Sequence, residues 1–452
     1  MNRKPVIAAA TAVGAAGVGS LAMYHPMAPA GAVIGAALGV YVFASPFRAL
    51  LGFMLMLLLR PADIVPALAV LQPAKLFALG ALGLWAIEKM VRHDTSWARC
   101  KLDLYFVWLT LALIASSVVG TDSGTSLALF QDVFVKIIIL YVLLLALVTT
   151  PGRAATTLTT IAVACASLGV YALQAKLSGQ ATIEGSRAGF VGLLGDPNDL
   201  ALCLLMGMPF LASAVMLTKG RQRWFYGILL LAVVSGIVST QSRGGFMGMG
   251  AAAFILLREK VKSRAMQFGI LAVGMAVLMA ASGMSKRSSG GGEGDGIDES
   301  AQGRLDAWMA GARMVKARPI LGVGYDRFAD NYPTYVTNAV IWGKLEAHNS
   351  FVKAFAETGI VGFVPFMAMV VLSFRSAFRL RGRREELADP LERAAVGSLF
   401  PTIVAYFISA FFLSQCWSWF TFILLAVIAA TERSMPAAPG LPATPKLQGA
   451  TT

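Results

Sequence analysis

The residues with the most chemical potential are one histidine, two arginines and two short polar motifs set in a very apolar chain. The chain has three histidines. His25 and His93 fall in irregular stretches, whereas His348, in Glu346-Ala347-His348-Asn349-Ser350, stands where a long polar segment meets an apolar run. At a helix N-terminus the dipole disfavours imidazolium, and a neutral imidazole can take a proton from a hydroxyl as a general base. A boundary histidine that only caps the helix is the plainer alternative. Arg187 and Arg243, like the basic group from Lys286 to Lys344, lie on the side of the chain where basic residues are disfavoured, so they ask for an anionic partner. A guanidinium offers a planar fork of donors that matches phosphate oxygens in pairs. Arg243 lies in the tight turn Thr240-Gln241-Ser242-Arg243-Gly244-Gly245, where the glycines permit close backbone approach; an arginine snorkelling from a helix end is the competing reading. In Gly195-Asp196-Pro197-Asn198-Asp199 the carboxylates and proline suit a helix start. The same two carboxylates offer oxygen ligands to a divalent cation, but capping explains them equally well. No serine, histidine and aspartate constellation is legible.

These residues are positioned by a chain made for lipid. Of its 452 residues 57% are apolar and 14% charged, and the mean hydropathy is +0.69. A bilayer-spanning helix needs roughly 20 apolar residues, and such runs recur almost from end to end. The expected fold is an all-α polytopic membrane domain over residues 1–433 with about 12–14 transmembrane helices. The spans fall near 6–24, 29–44, 47–60, 74–90, 102–119, 126–148, 155–175, 199–218, 224–240, 244–257, 265–284, 349–374, 394–412 and 417–430. The first follows Met1-Asn2-Arg3-Lys4 and reads as an uncleaved helix, being long for a signal peptide. Residues 61–73 suit a segment that dips into the membrane, and 434–452 a disordered cytoplasmic tail. The four cysteines are scattered and read as packing residues.

The net charge of +14 does not point to nucleic acid, because the basic clusters alternate with the spans. They occur at Arg3/Lys4, Arg48, Lys89 to Lys101, Arg153, Lys219 to Arg223, Arg258 to Arg264 and Arg375 to Arg384. Retention of such segments in the cytoplasm leaves three sizeable outer segments: 176–198, the hairpin at Arg243, and the loop 285–348. That loop opens with a flexible Gly-rich run at 288–296 and continues into an amphipathic helix, Arg304 to Lys316, suited to the membrane surface. Glu357 falls inside an expected span, where an ionisable residue is a functional candidate by default; Lys353, four residues earlier, is a natural partner.

Taken in order, Arg187, Gly195-Asp196-Pro197-Asn198-Asp199-Leu200-Ala201, Ser242-Arg243-Gly244-Gly245-Phe246, Pro319-Ile320-Leu321-Gly322-Val323-Gly324, His348-Asn349-Ser350-Phe351 and Glu357-Thr358-Gly359-Ile360-Val361-Gly362 resemble the bacterial O-antigen ligase and O-antigen polymerase family. The motifs cover about 187–362; the N-terminal third resembles the family only as a hydrophobic profile. The resemblance implies an inner-membrane enzyme whose active site faces the periplasm. It also implies inverting, metal-independent glycosyl transfer without a cofactor, from a glycan on undecaprenyl pyrophosphate to an acceptor hydroxyl. Arg187 and Arg243 would then hold the pyrophosphate and His348 would serve as base, with Asp196, Asn198, Asp199, Asn349 and Glu357 in support. The acceptor is a lipid A core sugar in a ligase and the growing polysaccharide in a polymerase, and the motifs do not distinguish them. A polysaccharide flippase would spread its charges through the membrane depth, whereas here they gather on one side. An acyltransferase would pair its histidine with an acidic partner in a compact motif, which His348 lacks.

Overall fold

The computed structural model describes residues 39–65, 68, 70–93, 100–179, 182–183, 186–190, 192–282, 299–337 and 343–435. The expected span 6–24, most of 29–44, the Gly-rich run at 288–296 and the tail from 436 onward lie outside the described residues.

Every other expected span forms as a helix. The helices are α1 (Pro46–Leu59), α2 (Pro73–Val91), α3 (Lys101–Val119), α4 (Ser123–Leu147), α5 (Pro151–Ser178), α6 (Pro197–Leu217) and α7 (Gly220–Thr240). They continue with α8 (Arg243–Leu257), α9 (Arg264–Ser282), α10 (Glu299–Ala317), α11 (Phe328–Tyr335), α12 (Ser350–Arg383), α13 (Pro390–Ala410) and α14 (Trp419–Ser434). Between α5 and α6, Thr182–Ile183 and Arg187–Ala188 pair as a small antiparallel hairpin. The chain is thus an all-α polytopic membrane protein. By length and composition, seven helices among the described residues (α3 to α7, α12 and α13) are fit to cross a membrane. The 14 residues of α1 reach only roughly 21 Å against a hydrocarbon core of about 30 Å, and α8 and the stretch Arg264–Ala280 of α9 are likewise apolar but within 10–17 residues.

The bundle is built around α6 and α13, whose apolar windows are each 78% buried. Helices α5, α7, α8 and α12 pack around this pair. Small residues bring the backbones close, as packing within a bilayer favours: a Cβ on Gly245 of α8 would sit 2.8 Å from the Ala201 Cβ of α6. The two ends of the bundle differ. At one, Arg381 and Arg384 converge on Glu259, and Arg379 meets Glu432. At the other, the described parts of the outer segments, Arg187–Ala188 and the turn at 319–324 among them, fold onto the helix ends.

The long α12 departs from the expected uninterrupted span. It breaks at Gly359, whose φ of 57° and ψ of −163° no helix accommodates. Helix breaks free backbone groups that lipid cannot satisfy, and the turn 319–324 supplies the partners. Val323 and Gly324 donate their N–H groups to Ala356 O and Glu357 O at 3.0 Å each, and Ile360 N donates to Pro319 O at 2.9 Å. The approach leaves no room for side chains: a Cβ on Gly359 would lie 2.3 Å from the Ile320 carbonyl carbon, and one on Gly322 2.3 Å from that of Glu357. Two of the sequence motifs, Pro319 to Gly324 and Glu357 to Gly362, therefore meet and lock the outer loop onto α12.

Glu357 completes the lock. It is fully buried and accepts hydrogen bonds from Asp326 N (3.1 Å), Phe328 N (2.8 Å) and Trp417 Nε1 (2.6 Å). Lys353 lies 3.8 Å from it but binds Asp326 (2.8 Å) and Glu346 (3.0 Å) more closely. Helix α10 covers the expected amphipathic stretch. Its buried face is Ala307, Ala310 and Met314, while Leu305 and Met309 stand exposed.

Candidate active site

Among the helices that begin at this end of the bundle, α6, α8, α12 and α14 start around Arg187 and His348, and each has its first turn capped by a polar side chain. Asp196 accepts from Asn198 N (2.6 Å) at α6, and Ser242 from Gly245 N (3.2 Å) at α8. Asn349 accepts from Phe351 N (2.9 Å) at α12, and Ser418 from Thr421 N (3.5 Å) at α14. The sequence favours these starts because short oxygen-bearing side chains satisfy N–H groups that a helix cannot. Gathering four positive helix ends makes a region fit for an anion.

Arg187 is carried into this region by the hairpin and is 4% exposed. Its Nε donates to Thr240 O at 3.1 Å, the last residue of α7, and its Nη2 donates to Asn198 Oδ1 at 2.9 Å. The same Asn198 oxygen accepts from Ser242 Oγ at 2.8 Å. One amide thus joins the arginine to the starts of α6 and α8, and two donors on one atom fix which end of the amide is oxygen. The turn between α7 and α8 is sharp because Gln241 adopts a left-handed conformation (φ 51°). Its amide donates to Ser282 O at 2.7 Å. Arg243 follows as the first residue of α8, with an exposed side chain. A cation there sits at the wrong end of a helix dipole, a placement that an anion would offset.

His348 precedes α12 in a left-handed conformation (φ 47°), a costly state for a non-glycine residue. Its N–H donates to Ser414 Oγ at 2.9 Å. Burial holds its imidazole below the ordinary histidine range; Arg304 and Lys353 push the same way, and Asp196 and Glu346 oppose them. The ring is thereby neutral near pH 7, as a base requires. Asp326 shifts in the usual carboxylate direction: Lys353, by charge and hydrogen bond, holds it below its ordinary value against burial.

The connection between α13 and α14, Phe411 to Ser418, was expected only as a short loop, yet it links the two halves of the site. Gln415 Nε2 donates to Asp199 Oδ1 at 2.8 Å. Ser350 Oγ donates to Leu413 O (2.6 Å) and accepts from Gln415 N (3.0 Å). The structure therefore joins Arg187, Asn198 and the Ser242-Arg243 turn directly, and ties them to His348 through Asp199 and the connection. Ser414 and Gln415 belong to none of the sequence motifs, although polar residues between two closely spaced apolar runs on the outer side are a usable signal. Among the described residues no group of three histidine, cysteine or acidic side chains is placed to hold a metal ion.

Comparison with known proteins bears on this end of the molecule. Residues 226–367 match the family model described as O-Antigen ligase. This segment is similar to the O-antigen ligases. It contains Arg243, His348 and both motifs of the α12 lock, and it supports the O-antigen ligase and polymerase family for the chain. The chain is also similar to the exopolysaccharide production protein ExoQ of Rhizobium meliloti (strain 1021), with 22% identity over 208 residues. The match covers 41% of this chain and 46% of that relative, so the chain spans less than half the length of the relative it matches. Arg187 and the Asp196 to Asp199 motif precede the ligase-type segment, and Ser414 and Gln415 follow it.

Proposed function

We propose that the protein is a glycosyltransferase of polysaccharide biosynthesis that moves a glycan from undecaprenyl pyrophosphate to an acceptor hydroxyl, with inversion and without a metal. The observation that carries this reading is the gathering of Arg187, the Arg243 turn and His348 at one end of the bundle, with four helix starts. The basic clusters at the start of α7, after α8 and at the end of α12 lie at the opposite helix ends. Retention of basic segments in the cytoplasm supports a site on the periplasmic face of the inner membrane.

In this reading Arg187 and Arg243 bind the pyrophosphate and offset the charge that grows on it as the bond to the anomeric carbon breaks. His348 takes the acceptor hydroxyl's proton while that oxygen attacks the anomeric carbon from the opposite face. The leaving bond's electron pair departs with undecaprenyl pyrophosphate. Asp196 and Asn349 hold the first turns of α6 and α12, Asn198 holds Arg187, and Glu357 holds the outer loop. Exposed Leu305 and Met309 of α10, with Lys316 nearby, suit contact with membrane lipids.

The preferred acceptor is a lipid A core sugar, as in a ligase. Polymerisation, with the growing polysaccharide as acceptor, is the second reading and is favoured by the similarity to an exopolysaccharide production protein. The test is to supply purified protein with lipid-linked oligosaccharide in EDTA, with and without lipid A core, alongside His348→Ala. Acceptor-dependent transfer marks a ligase, and laddering without the core marks a polymerase. Turnover by the His348→Ala protein removes the histidine from its role, and no release of undecaprenyl pyrophosphate from folded wild type turns the reading toward a flippase.

A further inference from the structure

We infer that Gln415 is a positioning residue that sets the distance between the donor-holding half of the site and His348. It lies outside residues 226–367 and was not among the residues that the sequence motifs marked. The inference rests on the transfer reaction proposed above.

Three helix starts meet on this one residue. Its side-chain Nε2 donates to Asp199 Oδ1 (2.8 Å) in the first turn of α6. Its main-chain N–H donates to Ser350 Oγ (3.0 Å), the first residue of α12 and two beyond His348. Its carbonyl accepts from Thr421 Oγ1 (2.7 Å) and Ser418 Oγ (2.9 Å) at the start of α14. Asp199 adjoins Asn198, which holds Arg187, so a bonded path runs from Arg187 through Asn198, Asp199, Gln415 and Ser350 to His348. Ser414, the preceding residue, holds the His348 N–H, so the same connection grips the histidine as well.

The residue type suits the task. Gln415 is 6% exposed and meets a carboxylate with a neutral amide donor. A glutamate there would set two carboxylates against each other, and an alanine would leave Asp199 without that donor. In-line displacement needs the base within hydrogen-bond reach of the acceptor hydroxyl while the leaving group points away. Misplacement by about 1 Å costs on the order of a hundredfold in rate. A single residue that holds the start of α6 by its side chain and the start of α12 by its main chain is therefore placed to affect turnover without touching either substrate.

The experiment measures initial rates in nanodiscs for wild type, Gln415→Ala, Gln415→Glu, Asp199→Ala, the Gln415→Ala/Asp199→Ala double variant and His348→Ala. Thermal unfolding of each is followed in parallel. Gln415→Ala keeps both main-chain anchors, so the fold is expected to persist. The expected result is a kcat loss of about 10- to 100-fold with the donor KM within about threefold, and a double variant no slower than the slower single one. A wild-type kcat in Gln415→Ala beside an inactive His348→Ala overturns the positioning role alone. So do fully additive losses in the double variant, or a fall in kcat accompanied by a rise in donor KM and a lowered unfolding temperature. Turnover by His348→Ala refutes the reaction reading itself, and the role of Gln415 with it.

Discussion

Replacing Asn198 with alanine isolates the contribution of a held arginine. Its Oδ1 accepts two hydrogen bonds, one from the Arg187 guanidinium (2.9 Å) and one from the Ser242 hydroxyl (2.8 Å). A hydrogen bond to a charged group is worth about 1.5–3 kcal/mol, and a neutral one about 0.5–1.5 kcal/mol. In Asn198→Ala, Arg187 keeps its bond to Thr240 O and Ser242 keeps its cap on Gly245. The helix starts therefore survive while the guanidinium gains freedom to turn. If the charge-assisted bond is what holds Arg187 on the pyrophosphate, about 1.5–3 kcal/mol of transition-state stabilisation is lost, roughly a 10- to 150-fold fall in kcat/KM. Asn198→Asp provides the internal control. Aspartate accepts both bonds, so the arginine stays in place, but its charge competes with the anionic donor. Donor KM is expected to rise while kcat at saturation falls less than in the alanine variant. The assay is release of undecaprenyl pyrophosphate against donor concentration, with Arg187→Ala as reference. If Asn198→Ala lies within threefold of wild type while Arg187→Ala is inactive, the idea that Asn198 holds the arginine is wrong.

Three further outcomes follow from the same geometry. Arg243→Lys keeps the charge and loses the planar fork, so donor binding should weaken by about tenfold or more; unchanged affinity and rate would leave only a surface cation. Burial places the His348 pKa below the usual imidazole value of about 6.5. The neutral base therefore persists into mildly acid solution, and kcat should be flat at neutral pH and fall as pH drops through that lowered value; a fall centred above about 7 contradicts it. Gly359→Ala forces a side chain into a left-handed position, costing about 1–3 kcal/mol, and against the Ile320 carbonyl. A clear drop in unfolding temperature and folded yield is expected, and wild-type stability would show that the lock at α12 is dispensable.

The sequence determined what local chemistry determines. Apolar runs matched to bilayer thickness gave the expected spans that lie within the described residues as helices, because a backbone in lipid must satisfy itself. Helix starts at Asp196, Ser242 and Asn349 were written in residue types that bond their own first turn. Arg187, Arg243 and His348 stood out by charge or rarity on the outer side. The break at Gly359 was hidden, since a glycine in an apolar run reads equally as a packing residue, and only the docked turn 319–324 makes a non-helical φ the stable choice. Glu357 shows the same limit: a carboxylate in an expected span reads as chemistry, while its three N–H partners come from residues 326, 328 and 417. The joining of Asn198 to Arg187 and of Asp199 to Gln415 was beyond reach for one reason. Those partners lie 11 and 216 positions apart, and the packing of α6 against α8 and α13, which no local periodicity encodes, decides that they meet.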